Sequence, residues 1–453
     1  MVRIGIAERI ITPPLGSSLV GYFSPRPASG IRDDLKAIAL CFDDGTTTAF
    51  IVALDLIWAG ECLWRDVKQI ARKKIPSSSL HITLHATHTH TGPLPDHSYK
   101  AVYTENFTIS DEYPGYLRTQ IVDAMREAYD SRFPATIGCG SVDVDGFSFN
   151  RRYRLRDGRV VTNPTQPQEI IGPAGPVSSK LSLLKIADDT GFLKAIALNY
   201  GNHPDTLGGT EISGDWPSMT RDLLSEEYGV PVILFNDACG DIAFLDPFDS
   251  ETRSSDIGEK IAEALGRSAS GILTSLQTLS PVNSLFLAEK TLSIPRRTFT
   301  DKEIESAKIN IEAFPGTLRA LVAKALFMQM EEKSPLEHSL FLVGLDKKCA
   351  FLCTSGEIFT ETGFAFREDS SFEETMIVEN CNAVLGYIPT AKAFKERTFN
   401  LSVREEEFHA TPLDEAIGID ASYETSYLGC VVDERAEGIV IEGVKKLFAD
   451  LSR

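Results

Sequence analysis

Short apolar runs broken by Gly, Pro and Asp alternate along this chain with stretches whose apolar positions recur every three or four residues. Arg3 to Thr12, Leu35 to Phe42 and Thr48 to Leu56 read as strands, the last two joined by the hairpin signal Asp43-Asp44-Gly45-Thr46. Glu61 to Lys74 has helical period and leads into a further strand, an order that predicts parallel pairing through a right-handed crossover. Helices are also predicted over Asp111 to Arg132 with Ser110 as cap, Ile257 to Leu276, Asp301 to Lys333 with a break at Pro315-Gly316, and Glu434 to Leu451. Two more hairpins turn at Asp188 to Gly191 and at Asp346-Lys347-Lys348. The proline- and glycine-bearing stretches Gly21 to Gly30 and Thr162 to Ser179 read as loops, the first one placed to line a site. The alternation points to an α/β fold, a mixed β-sheet core with flanking helices.

Candidate chemistry gathers where strands end. Five of the eight histidines, His81, His85, His88, His90 and His97, fall in one short stretch around LHITLHATHTHTGP. If the strand runs on to Gly92-Pro93, period-two geometry puts His88 and His90 on one face and Thr87, Thr89 and Thr91 on the other. Neutral imidazole is the commonest protein metal ligand, so the pair can supply a ligand and a proton-handling or supporting partner. Packed, hydrogen-bonded histidines at a strand end are the structural alternative. His203 again follows an apolar strand, next to Pro204, and two strand ends that each present imidazole make a metal-site hypothesis. The strand PVILFND and the turn after it bring Asp237 and Asp241 to a strand end, and Glu357 follows the strand after Asp346-Lys347-Lys348, where a helix-start carboxylate is the alternative reading. Asp55, alone in an apolar strand, either orients a histidine or caps a turn. Of the arginines in FNRRYRLRDGR, most read as solvated, and one could clamp a substrate oxygen.

Composition narrows the partners. The 453 residues are 43% hydrophobic and 24% charged, as in ordinary globular proteins, but the formal charge is −19 and there is no Lys/Arg block. Nucleic acid is therefore not expected as a partner, because its binding begins with a positive surface. Eight scattered cysteines without CxxC pairing suit reduced, mostly buried thiols. No segment has the length and apolarity of a signal peptide or a membrane span, so a cytoplasmic protein without a membrane anchor is expected. A homo-oligomer is compatible with everything in the sequence.

Taken together, several motifs resemble the neutral (non-lysosomal) ceramidases and their smaller prokaryotic relatives. ATHTHTGP is similar to that family's ATHTHSGP signature. GIAERIITPP with GYFSPRPASGI, NHP with ISGD, ACGDIAF, and SGE followed by GYIPT occur in the family's order. The resemblance spans residues 1–453 as a single catalytic domain, without counterpart to the family's C-terminal β-sandwich. It implies one zinc ion per chain held by His88, His203, Glu357 and Tyr387 with a water in the remaining position. His90 or Asp241 would handle protons, and Arg151, or the metal, would stabilise the oxyanion. Two departures concern the substrate-binding positions: a catalytic serine of the family aligns with Ala243, and a tyrosine that polarises the scissile carbonyl aligns with Phe399. The expectation is a zinc-dependent hydrolase of a small-molecule amide other than ceramide. An esterase or lactonase, or a catalytically silent metal- or ligand-binding relative, are the alternatives.

Overall fold

The computed structural model describes residues 1–98, 106–396 and 422–450, so Phe399 lies outside the described residues. Its larger sheet contains β1 (Arg3–Ile10), β2 (Lys36–Asp43), β3 (Thr47–Leu54), β4 (Ser79–Ala86), β5 (Phe133–Asp143), β6 (Lys180–Asp188), β7 (Leu193–Tyr200) and β8 (Val232–Asn236). They are ordered β8-β7-β6-β5-β1-β2-β3-β4, with the short strand Ser280–Pro281 also paired to β5. Neighbours run antiparallel except β3 with β4 and β7 with β8. A second sheet, β9 (Leu285–Ile294), β10 (Leu336–Leu345), β11 (Cys349–Thr354) and β12 (Glu374–Val378), is laid down in chain order with β11 and β12 parallel.

Period-two alternation sorts the side chains into layers. Ala37, Ala39 and Cys41 of β2 and Val52 of β3 face helices α1 (Glu61–Lys74) and α2 (Tyr113–Asp130), where Leu63, Val67, Leu117 and Ile121 meet them. Leu183 and Leu198 face α3 (Asp215–Tyr228) and α4 (Ile257–Ser275) in the same way. The intervening residues Ile38, Leu40, Ile51, Leu184 and Phe235 pack on Phe341, Val343, Phe351 and Val378 of the second sheet. That sheet's far side, Leu340, Leu342 and Leu352, receives Val440, Val444 and Leu447 of the closing helix Ala436–Asp450. The result is a four-layer stack of helices, sheet, sheet and helix, in which each strand with apolar residues on both faces is buried on both.

The two edges of the larger sheet meet. Asn236, at the end of β8, donates its side-chain N–H to Thr87 O at 2.7 Å, just beyond the other edge strand β4. Its backbone N–H lies 3.3 Å from His85 Nε2, while His85 Nδ1 donates to Glu379 O, beyond β12, at 2.6 Å. His85 is thus a rivet joining three strand ends, held as the neutral ring by burial that pushes its pKa down to about 4. The strands joined in parallel through helices are β3–β4, β7–β8 and β11–β12, the last crossing through the helix Thr360–Glu368. The riveted ends therefore bring carboxyl ends of parallel strands to one place, where open α/β sheets bind ligands.

The three hairpins, the parallel β3–α1–β4 unit and the break between the helices Asp301–Ala313 and Leu318–Glu331 match the sequence reading. Three local expectations are corrected. Helix α2 begins at Tyr113, with Pro114 in its first turn and no side-chain cap, so Ser110 does not cap it. The stretch expected to be a loop from Thr162 contributes strands: Val160–Thr162 and Ile170–Pro173 flank Arg152–Leu155 in a small antiparallel sheet. Strand β4 stops at Ala86, and His88 adopts a positive φ of 70°, so His88 and His90 do not share a strand face. All eight cysteines are free thiols and six are buried, as expected.

Candidate metal centre

The turn after β4 carries His88 and His90 into the junction, and the end of β7 brings His203. The three rings lie edge to face, with centroids 4.8 to 5.2 Å apart, and their nearest nitrogens all fall within 4.8 Å of one another. All three residues are buried. The backbone bend at His88 directs its Nδ1–H to Ile57 O at 2.9 Å, which leaves Nε2 with its lone pair toward the cluster. Glu357, three residues beyond the end of β11, places Oε2 3.5 Å from His88 Nε2. The helix-start alternative does not hold for Glu357, since the following helix begins only at Thr360. His90 Nε2 lies 3.2 Å from His203 Nε2. Burial, reinforced by neighbouring His88 and by arginine charge, pushes His90 and His203 well below the usual histidine range, so both stay neutral.

These donors fit a cation. Two ligand atoms on a tetrahedral ion with bonds of about 2.1 Å lie roughly 3.4 Å apart, close to the 3.2 and 3.5 Å separations here. Glu357 Oε2 and His203 Nδ1 are buried with no hydrogen-bond partner, an arrangement that is costly for a carboxylate oxygen unless something positive completes it. Among the described residues, His88, His90 and His203 are the group of this kind.

Tyr387 pairs in register with Glu357 through the short parallel strands Glu357–Ile358 and Tyr387–Ile388. The guanidinium carbon of Arg151 lies 5.1 Å from its ring centre. Burial pushes the phenol well above its usual value, and Arg151 opposes that shift. Arg151 itself donates to Glu424 Oε1 at 2.7 Å and to Gly240 O at 3.0 Å.

A comparison with solved structures now bears on this geometry. The whole chain superposes on 74% of the neutral ceramidase from Pseudomonas aeruginosa with a TM-score of 0.70, at 15% sequence identity. A ceramidase complexed with C2 gives the same values. The fold is that of the neutral ceramidases. No protein-family model and no curated protein matches the sequence, so the likeness lives in the backbone and in the short motifs at its strand ends.

Within the ceramidase fold, the residues expected from the sequence divide into two groups. His88, His90, His203, Glu357, Tyr387 and Arg151 converge on one buried region. Asp241 stands apart in role: Oδ1 accepts from Thr360 N at 2.8 Å and Thr360 Oγ1 at 3.0 Å, and Oδ2 accepts from Asn150 Nδ2 at 2.7 Å. Those bonds brace the strand pair Ile242–Ala243 with Phe149–Asn150, which carries Ala243 opposite Phe149 and leads directly into Arg151. Asp55 follows neither reading. It forms a two-pronged ion pair with buried Arg221 of α3 at 2.8 and 2.6 Å and accepts from Thr87 Oγ1 at 3.2 Å, fixing the start of the histidine turn. Of the arginines expected to be solvated, Arg152 is buried beside Glu424.

Four residues at the centre had no sequence signal. Asp205 lies 3.4 Å from His90 Nδ1 and accepts the Tyr22 hydroxyl at 2.5 Å, and burial raises its carboxyl pKa to about 7. Arg26 packs over the Tyr22 ring at 4.0 Å and donates to His90 O, so the loop expected to line the site does so. Glu424 is fully buried and accepts from Arg151 and, at 2.7 Å, from Thr162 Oγ1. Each is a single polar residue in a loop, a two-residue strand or a single helical turn, and only its partner, far along the chain, gives it a meaning.

Proposed function

We propose that the protein is a zinc-dependent hydrolase that cleaves the carboxamide bond of a small-molecule substrate. One observation carries this reading: two imidazoles and a carboxylate, delivered by three separate strand ends, meet in a buried cluster within the fold of neutral ceramidases. His88, His203 and Glu357 would hold the ion, with Tyr387 as the further ligand the resemblance supplies. When bound, zinc lowers the pKa of a water to about 7 and polarises a carbonyl.

The chain's own residues do the rest. The Ile57 carbonyl fixes the His88 tautomer with Nε2 facing the cluster, and burial keeps His203 neutral. Arg151, anchored by Glu424, brings a permanent positive charge to the region where carbonyl oxygen would gain negative charge. Proton handling was expected of His90 or Asp241. Asp241 has both oxygens occupied and His90 turns Nε2 toward His203. Asp205 Oδ1 accepts the Tyr22 hydroxyl and lies 3.4 Å from His90 Nδ1, and burial raises its carboxyl to about 7, so His90 with Asp205 behind it is the better-placed pair to handle a proton. Ala243 and Phe399 lack the hydroxyls of the resembled family, which supports a substrate other than ceramide.

Short N-acyl amides, esters, lactones and ceramide offered to the purified zinc-loaded protein test this. The expected result is turnover of a short amide, abolished by chelator and restored by zinc. Turnover by metal-free protein, or silence toward all four classes, would overturn it.

A further inference from the structure

We infer that Glu379 is the residue that positions Glu357 for the metal: its buried carboxyl holds the backbone next to Glu357 and fixes how far that side chain stands from His88. The inference rests on the metal-site reading above and adds to it a group that lies outside the motifs carrying the resemblance.

Glu379 stands one residue beyond the end of β12 and is 1% exposed. A carboxyl so deeply buried is costly unless its oxygens are used, and here three donors converge on them. Oε2 accepts Ile358 N at 2.8 Å and Cys239 N at 3.3 Å, and Oε1 accepts the Cys239 thiol at 3.0 Å. The bond from Ile358 matters most. On one side the strand Glu357–Ile358 pairs with Tyr387–Ile388, and Glu357 N donates to Gly386 O at 2.9 Å. On its other side no strand among the described residues pairs with it. Glu379 Oε2 therefore takes the place of a neighbouring strand's carbonyl, without which the buried Ile358 N–H would lack an acceptor. The turn after β8 closes against the same backbone: Gly240 N donates to Ile358 O at 2.9 Å, and a Cβ at Gly240 would sit 2.7 Å from Glu357 O.

The backbone of Glu379 reaches the histidine side of the centre. His85 Nδ1 donates to Glu379 O at 2.6 Å, and Glu379 N donates to Asn236 O at 3.2 Å. His85 lies in β4, three residues before His88. One residue thus ties the strand of Glu357, through its side chain, to the strand that delivers His88, through its carbonyl. The Cys239 thiol that Glu379 receives also lies 3.6 Å from Asn202 O, next to His203. The 3.5 Å between Glu357 Oε2 and His88 Nε2 is therefore held by protein bonds alone, before an ion arrives. Methionine at 379 would fill the space but leave the Ile358 and Cys239 N–H groups without their acceptor, whereas glutamine keeps one oxygen for them.

Equilibrium zinc titration of the full chain as wild type, Glu379→Gln and Glu379→Met, beside urea unfolding of the metal-free proteins, tests this, and residue-resolved amide hydrogen exchange follows Ile358 in metal-free wild type. Zinc affinity should fall about 10- to 100-fold in Glu379→Met, as for other groups that orient a ligand, and stay close to wild type in Glu379→Gln. The Ile358 amide should be protected before zinc is added. Wild-type affinity in Glu379→Met, with or without a lower unfolding midpoint, would reduce Glu379 to a structural role and overturn the inference; equal losses in both variants would overturn it too. So would rapid exchange at Ile358 that only zinc suppresses, a measurement that needs no variant to fold. Wild type without stoichiometric zinc would overturn the metal-site reading itself, and this inference with it.

Discussion

At the scale of single residues, the centre depends as much on what stands behind each donor as on the donors. Gly21 is a sharp case, because both its positive φ and its closeness to His90 exclude a side chain. Gly21→Ala should lower turnover of the short amide by about tenfold or more while zinc stays bound, since a displaced ring loses its part in proton transfer; steady-state kinetics of the zinc-loaded protein check it, and unaltered turnover would show that the loop does not hold the ring. Asp55 is a second case. Removing one partner of a buried ion pair strands the other charge, so Asp55→Ala should cost about 3–5 kcal/mol, read from urea unfolding. The histidine signature was legible because several scarce residues crowd one short stretch. Asp205, Tyr22 and Glu424 were not, since an acid or tyrosine in a polar loop looks like any other until its partner is known.

At the scale of elements, alternation and turn chemistry made most strands, hairpins and helices readable from sequence. The meeting of the sheet's edges was not, because β4 and β8 lie at opposite ends of the strand order and only curling unites them. No local pattern encodes that curl; it emerges from the second sheet packing into the first, with Phe235 and Phe351 in contact across them at 5.6 Å. The end of β4 was misjudged for a related reason. An unbroken polar-apolar alternation favours extended chain, but hydrogen bonds from Thr87 N to Leu54 O and His88 N to Leu56 O turn the backbone early. Asn236→Leu tests the rivet. It strands the Thr87 carbonyl at a buried site and should destabilise by about 1–3 kcal/mol, with a parallel loss of zinc affinity; a stable variant with intact affinity would mean the edges are held elsewhere.

At the scale of the whole molecule, buried neutral histidines set how stability responds to acid. Burial pushes His338, hydrogen-bonded to Thr354 at 2.8 Å, down to about 3, and His85 down to about 4. Unfolded, both would titrate near their ordinary value of about 6.5. The unfolded state therefore binds more protons below that pH. Their contribution is fully present above about pH 6.5 and is lost as pH falls toward the folded values, at up to about 1.4 kcal/mol per pH unit for each ring. The urea midpoint should drop between pH 7 and pH 5, and His338→Gln should make that drop shallower; an unchanged slope would show that His338 does not titrate on unfolding.

The central claim is that three distant strand ends build one metal site. Zinc content after dialysis against a defined free-zinc buffer, measured by mass spectrometry for wild type, His203→Ala and Glu357→Ala, tests it most directly. One zinc per wild-type chain and far less in each variant is the predicted result. Zinc-free wild type, or variants that retain the full complement, would contradict it.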